Sequence, residues 1–259
     1  MAPPIDFHSH ENRDTYTTRQ ADPSWVAAVT GLVDPRGKRV LDIGCGGGIY
    51  SRAWAGLGAA EVLGVDFSHQ MVEAAAERSQ GMAGVSFRQG DATATGLNDG
   101  CADLVFERAL IHHVADWPAC LREAYRLLRP GGAILLQDRT PKDVRQPATP
   151  EHIRGYFFER FPRLLAVEDG RRPRSADVVH HLEESGFGDV RTLTLWETRQ
   201  VYRDLAALAA DLRGRTGRSI LHELSDDELE TLIAYIGDHV SGAVTEKDRW
   251  TLWYGECST

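Results

Sequence analysis

Residues 38–56 read Lys-Arg-Val-Leu-Asp-Ile-Gly-Cys-Gly-Gly-Gly-Ile-Tyr-Ser-Arg-Ala-Trp-Ala-Gly. A β-branched run from Val40 to Ile43 enters a glycine turn, Gly44 to Gly48, and then an amphipathic stretch from Ile49 to Leu57. Strand, glycine turn and helix N-terminus in succession let a ligand approach the backbone closely, as nucleotide-binding α/β folds do. The same glycines would also serve a tight turn that only packs helix on strand. A dinucleotide fingerprint needs G-x-G-x-x-G, and here Ile49 stands where the third glycine belongs. Asp42, two residues before Gly44, would repel a pyrophosphate but suits an ammonium-bearing ligand.

Outward from this stretch, short apolar runs alternate with amphipathic ones, the pattern of a parallel sheet covered by helices. Strands are expected at Arg39–Ile43, Glu61–Asp66, Val85–Gln89, Ala102–Glu107 and Ala133–Asp138, with helices at Ile49–Leu57, His69–Arg78 and Pro118–Leu128. Beyond them the pattern predicts helices Pro150–Arg160 and Ser175–Ser185, a strand Val190–Thr198, a mainly helical stretch Val201–Val240 and a last strand Arg249–Glu256. The expected plan is one domain over 1–259, with an N-terminal cap at 1–35, a lid region at 140–175 and a helical insertion at 200–247 between the last two strands.

Composition narrows the function. A formal charge of −9 disfavours a general nucleic-acid binder, which needs clustered cations. All but three of the 29 basic residues are arginine, so an isolated arginine carries little meaning. Cys45, Cys101, Cys120 and Cys257 are widely spaced and fit a reducing compartment. The polar first residues and the absence of a long apolar run lead us to expect a cytoplasmic chain without a membrane partner.

Three acidic residues fall at expected strand ends, the edge where open α/β sheets bind ligands. They are Asp42, Asp66, 22 positions after Gly44, and Asp91 in Gly90-Asp91-Ala92. Asp66 has the spacing of a ribose-binding acid, with Phe67 beside it as a stacking face, or it caps a helix, a role open to Ser68 as well. Asp91 suits an adenine amino group or an Asx turn.

With Leu128-Arg129-Pro130-Gly131-Gly132 before the fifth strand, these motifs resemble the class I S-adenosylmethionine-dependent methyltransferases over residues 38–138. The resemblance implies a Rossmann-like, doubly wound α/β fold whose seven-stranded sheet has an antiparallel last strand. It implies that S-adenosyl-L-methionine is the cofactor and a small molecule the substrate. Asp42, Gly44, Cys45 and Gly46 would hold the methionine part, Asp66 the ribose, and Asp91 with Ala92 the adenine, with Phe67, Met71 and Glu107 nearby. Tyr16 and Arg19 would close over the cofactor.

The stretch Glu107-Arg108-Ala109-Leu110-Ile111-His112-His113 follows the fourth strand, where the family places the transferred methyl. His112 is the expected base or orienting residue and His113 the alternative; packing or a helix start is the other use of such a pair. No metal is expected, since two histidines lack a third ligand. Arg154 and Tyr156, on the aromatic and cationic helix of the lid, are expected to meet substrate, unless that helix only packs on the sheet. Gly214-Arg215-Thr216-Gly217-Arg218 is similar to the T-G-x-R region of trans-aconitate methyltransferase and related carboxyl methyltransferases, with the register shifted by one. That similarity would make Arg218 a substrate residue, against a solvated loop. Arg171-Arg172-Pro173-Arg174 reads as a solvated loop.

Overall fold

The structure, a computed structural model, describes residues 20–258. Tyr16, Arg19 and most of the expected cap lie outside the described residues. In chain order the elements are α1 (Pro23–Thr30), β1 (Arg39–Ile43), α2 (Ile49–Gly56), β2 (Glu61–Asp66), α3 (His69–Arg78), β3 (Val85–Gln89), β4 (Ala102–Arg108), α4 (Trp117–Leu127) and β5 (Leu128–Asp138). There follow α5 (Pro141–Val144), α6 (Ile153–Arg160), α7 (Arg163–Arg171), α8 (Ser175–Glu184), β6 (Phe187–Tyr202), α9 (Leu205–Arg213), α10 (Asp226–His239) and β7 (Val244–Cys257).

The seven strands lie in the order β3-β2-β1-β4-β5-β7-β6. The first five run parallel, and β7 is antiparallel to both its neighbours, as expected. Chain order reverses between β1 and β4, so a crevice opens at their carboxyl ends, the usual place for a ligand. Two apolar layers cover the sheet. Trp25, Trp54, Phe106 and Leu135 pack beneath α1 and α2, and Ile43, Val105, Leu121, Leu182 and Trp253 beneath α4 and α8. The caps are local: Asp22 accepts from the backbone of Ser24, and Ser68, not Asp66, accepts from the backbone of Met71 to start α3.

A third apolar cluster sits above the carboxyl edge. It joins Phe157 and Phe158 of α6, Leu164 of α7, Leu208 of α9, Leu232 and Ile236 of α10 and Val244 of β7. The expected lid region and helical insertion therefore share one core. The helix α7 was not apparent in the sequence, and Arg172 just beyond it is buried, not part of a solvated loop.

The last two strands are longer than the hydrophobic pattern implies. Thr251 of β7 pairs with Asp138 at the carboxyl end of β5, so Val244–Trp250 run on past the sheet edge paired only with β6. This ribbon turns Glu246 and Asp248 inward, buried, while Thr245 and Lys247 are less buried. Its inward face thus places two acids between the apolar Val244 and Trp250, so the strand's alternation is one of burial rather than of polarity.

Gly64 lets β2 and β3 close. A Cβ there would stand 2.5 Å from Phe87 Cδ1 and 2.9 Å from Cys45 Sγ. Gly64→Ala is expected to cost about 1–3 kcal/mol of unfolding free energy through overpacking, read from urea denaturation. An unchanged midpoint would show that Phe87 can turn aside.

Candidate active site

The carboxyl ends of β1, β2 and β4 and the ribbon enclose a cavity of about 510 Å³. One end is lined by Asp42, Gly44, Cys45, Gly46, Asp66, Phe67, Met71, Asp91 and Ala92; the other by His112, His113, Arg108, Arg139, Arg154, Arg172, Arg199, Arg218, Asp248 and Trp250. The cavity is thus acidic where the strands end and arginine-rich beneath the helical layer.

At the acidic end the glycine turn is tied to β2. Gly46 N–H donates to Asp66 Oδ2 at 2.9 Å, and Ser68 N–H donates to Asp66 Oδ1 at 2.9 Å. The turn takes positive φ at Gly44, 73°, and Gly46, 50°, a conformation open to glycine without strain. Asp42 receives a 2.5 Å hydrogen bond from Ser51 Oγ. Burial nevertheless pushes its carboxyl up to about 7, with nearby Asp66 adding to the rise. Asp91 Oδ1 accepts from Thr93 N–H and Oγ in an Asx turn, while its second oxygen has no partner among the described residues. Phe67 presents its ring, 47 % exposed, beside it.

At the other end, His112 sits on a 3-10 turn, Ile111–His113, just after β4. Its Nδ1 lies 2.8 Å from Asp138 Oδ2. Asp138 also accepts from the Arg139 backbone N–H at 2.7 Å and from Arg172 Nη1 at 2.9 Å. Burial opposes charge on Asp138, but His112 and Arg172 overrule it and hold the carboxyl well below its ordinary range. Asp138 is therefore ionised, so Nδ1 carries the proton and Nε2 keeps a lone pair. Burial and the Arg172 charge hold the His112 imidazole down at about 4, neutral at physiological pH. The His113 ring lies against it, centroids 3.9 Å apart.

The arginines rest on buried acids. Arg139 Nη2 donates to Asp248 Oδ2 at 2.6 Å and Arg154 Nε to Asp248 Oδ1 at 3.2 Å. Arg172 Nε donates to Glu168 at 2.5 Å, and Arg108 Nη2 to Glu197 at 2.8 Å. The guanidinium groups of Arg108 and Arg139 both lie over the Trp250 ring, 4.2 Å and 3.8 Å from its centre. Arg218 is wholly buried, donating to Asp211 and Glu246 at 2.6 Å and to Tyr202 at 3.0 Å.

Most of the expected residues thus meet at one cavity. Two do not reach it. Glu107 points to the α4 face, because strand alternation gives the cavity face to Arg108; it is fully buried, its oxygens lack a partner among the described residues, and burial raises it to about 8. Tyr156 packs into the helical core against Tyr235 and His239. Arg218 does line the cavity, but its terminal nitrogens are taken by protein partners, so it braces the ribbon rather than reaching inward. Sequence reasoning missed Arg108, Arg139, Arg172, Asp138 and Asp248. Asp138 was legible as the acid closing the fifth strand at the ligand edge.

Residues 41–136 match the methyltransferase domain family. Phosphoethanolamine N-methyltransferase 1 of Triticum aestivum is 34 % identical over 156 residues, 60 % of this chain and 29 % of the wheat protein. Ubiquinone biosynthesis O-methyltransferase of Pseudomonas aeruginosa is 37 % identical over 124 residues, 46 % of this chain and 51 % of that one. The chain therefore spans about a third of the wheat relative and half of the bacterial one. A solved protein from an antibiotic biosynthesis pathway of Anabaena variabilis shares the fold, with TM-score 0.70, 21 % identity and coverage of 91 % of this chain and 98 % of that one.

The His112 ring should protonate only near pH 4 and keep its proton on Nδ1 above that, and nitrogen NMR of labelled histidine checks both. In Asp138→Asn the tautomer preference should be lost. A wild-type ring that titrates near its ordinary 6.5 would contradict the buried dyad.

Proposed function

Because residues 41–136 match the methyltransferase domain family, we propose that the protein is an S-adenosylmethionine-dependent methyltransferase acting on a small molecule. One observation carries the reading: the acids ending three adjacent strands and the His112–Asp138 dyad line one cavity.

The acidic end fits the cofactor. Asp42 is a desolvated carboxyl whose ionisation a neighbouring cation would favour. The free oxygen of Asp91 and the exposed Phe67 ring suit an adenine, and the rim oxygens of Asp66 suit ribose hydroxyls. Bound there, S-adenosylmethionine supplies a sulfonium methyl that passes to an acceptor lone pair as the carbon–sulfur pair leaves with a neutral thioether. The chain's own work is alignment, exclusion of water and proton removal. The helical layer of residues 140–175 and 200–247 acts as the lid, and Arg154 lies in its cavity-facing part. His112 Nε2 takes the acceptor proton, and Asp138 steadies the imidazolium that forms.

A base in this position favours a hydroxyl acceptor, hence oxygen methylation. An amine is the second reading, supported by the similarity to an N-methyltransferase. The four unpaired cysteines agree with a cytoplasmic setting.

Incubation with methyl-labelled cofactor and a small-metabolite extract should move label into a small molecule; binding with no transfer would mark a non-catalytic cofactor-binding protein instead. Asp66→Ala should weaken S-adenosylhomocysteine binding by about 1–3 kcal/mol, measured by calorimetry. His112→Ala should retain that binding and lower turnover by about 10²–10⁴-fold; normal turnover would remove its role.

The sign of the Asp42 effect follows from its raised value. Below about pH 7 the carboxyl is protonated and attracts a cation weakly, so cofactor affinity should rise as pH rises through that range. Calorimetry in buffers of different ionisation heat should show proton release on binding, absent in Asp42→Asn.

A further inference from the structure

Three arginines at the roof of the cavity each meet their acids with only part of the guanidinium group. Arg139 and Arg154 contact Asp248, and Arg172 contacts Asp138 and Glu168. Asp248 is shared between two guanidinium groups, and Asp138 between Arg172 and His112. The side chains of Arg139, Arg154 and Arg172 are 8 %, 4 % and 3 % exposed, yet all three line the cavity. Among the described residues, Arg139 Nε and Nη1, Arg154 Nη1 and Nη2, and Arg172 Nη2 have no acceptor. Arg139 Nε is fully buried, whereas the terminal nitrogens belong to cavity-lining groups and keep donors that an entering acceptor can use. Burial and the charges of Arg154 and Arg172 pull Arg139 down to about 9, the response of a cation crowded by like charge.

Resting on the methyltransferase reading, we propose that the acceptor carries a small oxyanion, a carboxylate or a phosphate monoester, held by Arg139, Arg154 and Arg172 as a handle separate from the methylated atom. Planar forks that still have open donors match the oxygens of either group. The separation follows from the dyad. An ionised carboxylate or phosphate needs no base, whereas His112 is arranged as one, with Nε2 free and Nδ1 anchored. The atom that is methylated is then a second group on the same molecule, an O–H or N–H that gives its proton to His112 Nε2. Arg172 bonds Asp138, the partner of His112, so the handle and the base are fixed by one carboxylate. The neutral ring of Trp250, stacked on Arg139, holds that guanidinium in plane without consuming a donor.

The test uses the full chain loaded with S-adenosylhomocysteine and titrated by calorimetry with two probes, inorganic phosphate and malonate. At least one should bind saturably at low ionic strength, and which one binds tighter distinguishes phosphate monoester from carboxylate. Arg154→Gln and Arg139→Lys should each weaken that binding at least tenfold while leaving S-adenosylhomocysteine affinity unchanged. The lysine variant keeps the charge beside Asp248, so a folded protein with a lost fork is obtained even if the glutamine variant unfolds. Absence of binding by both probes overturns the proposal, as does binding that neither substitution affects. Failure of S-adenosylhomocysteine itself to bind would instead overturn the cofactor reading, and the probe titrations, repeated on the unloaded chain, would still decide the arginine site.

Discussion

Asp248 is the joint on which the upper half of the molecule rests. It projects from the part of β7 that pairs only with β6, ahead of the pairing with β5 that starts at Thr251, and it meets Arg139 from the end of β5 and Arg154 from α6. Taking such ions out of water costs several kcal/mol apiece, and the cost is met only where geometry and hydrogen bonds are good. Remove that carboxylate and two buried guanidinium groups lose their shared partner, leaving Arg172–Asp138 and the contacts of Asp143 to hold the helical layer at the sheet edge. The apolar cluster of α6, α9 and α10 gives the layer its cohesion, but the ionic contacts fix where it sits.

A polarity gradient across one cavity follows from this construction. Acids arrive on the parallel strands, whose carboxyl ends gather at the switch between β1 and β4. Arginines arrive on the edge ribbon, the helical layer and the segment after α7. Each half would be unfavourable alone in a buried space. Together they give one cavity an end that suits a cationic group and an end that suits an anionic one.

The sheet was legible because its strands obey ordinary rules. The boundaries of β1, β2 and β3 coincide with those read from apolar runs, and Asp42, Asp66 and Asp91 followed from their places at strand ends. The ribbon was not legible for the opposite reason. In Val244–Asp248 the inward positions hold Val244, Glu246 and Asp248, and the two acids break the hydrophobic periodicity. Arginines were discounted because the composition is rich in them, and no local pattern separates the exposed Arg174 from the buried Arg172 two positions earlier. Glu107 failed differently. It was assigned from its neighbourhood, and a single step of strand alternation turned it to the other face. Distant pairing decides burial in each of these cases, and one chain read alone does not display distant pairing.

The position of β7 has a consequence for how the chain is made. This strand is the last of the described elements, yet it lies inside the sheet, between β5 and β6. During synthesis both neighbours have an unpaired backbone edge until Val244–Cys257, which begins some 40 residues after β6 ends, leaves the ribosome. Until that segment arrives, two strand borders stay open to wrong pairing, so the sheet closes only with the strand that comes last among the described elements.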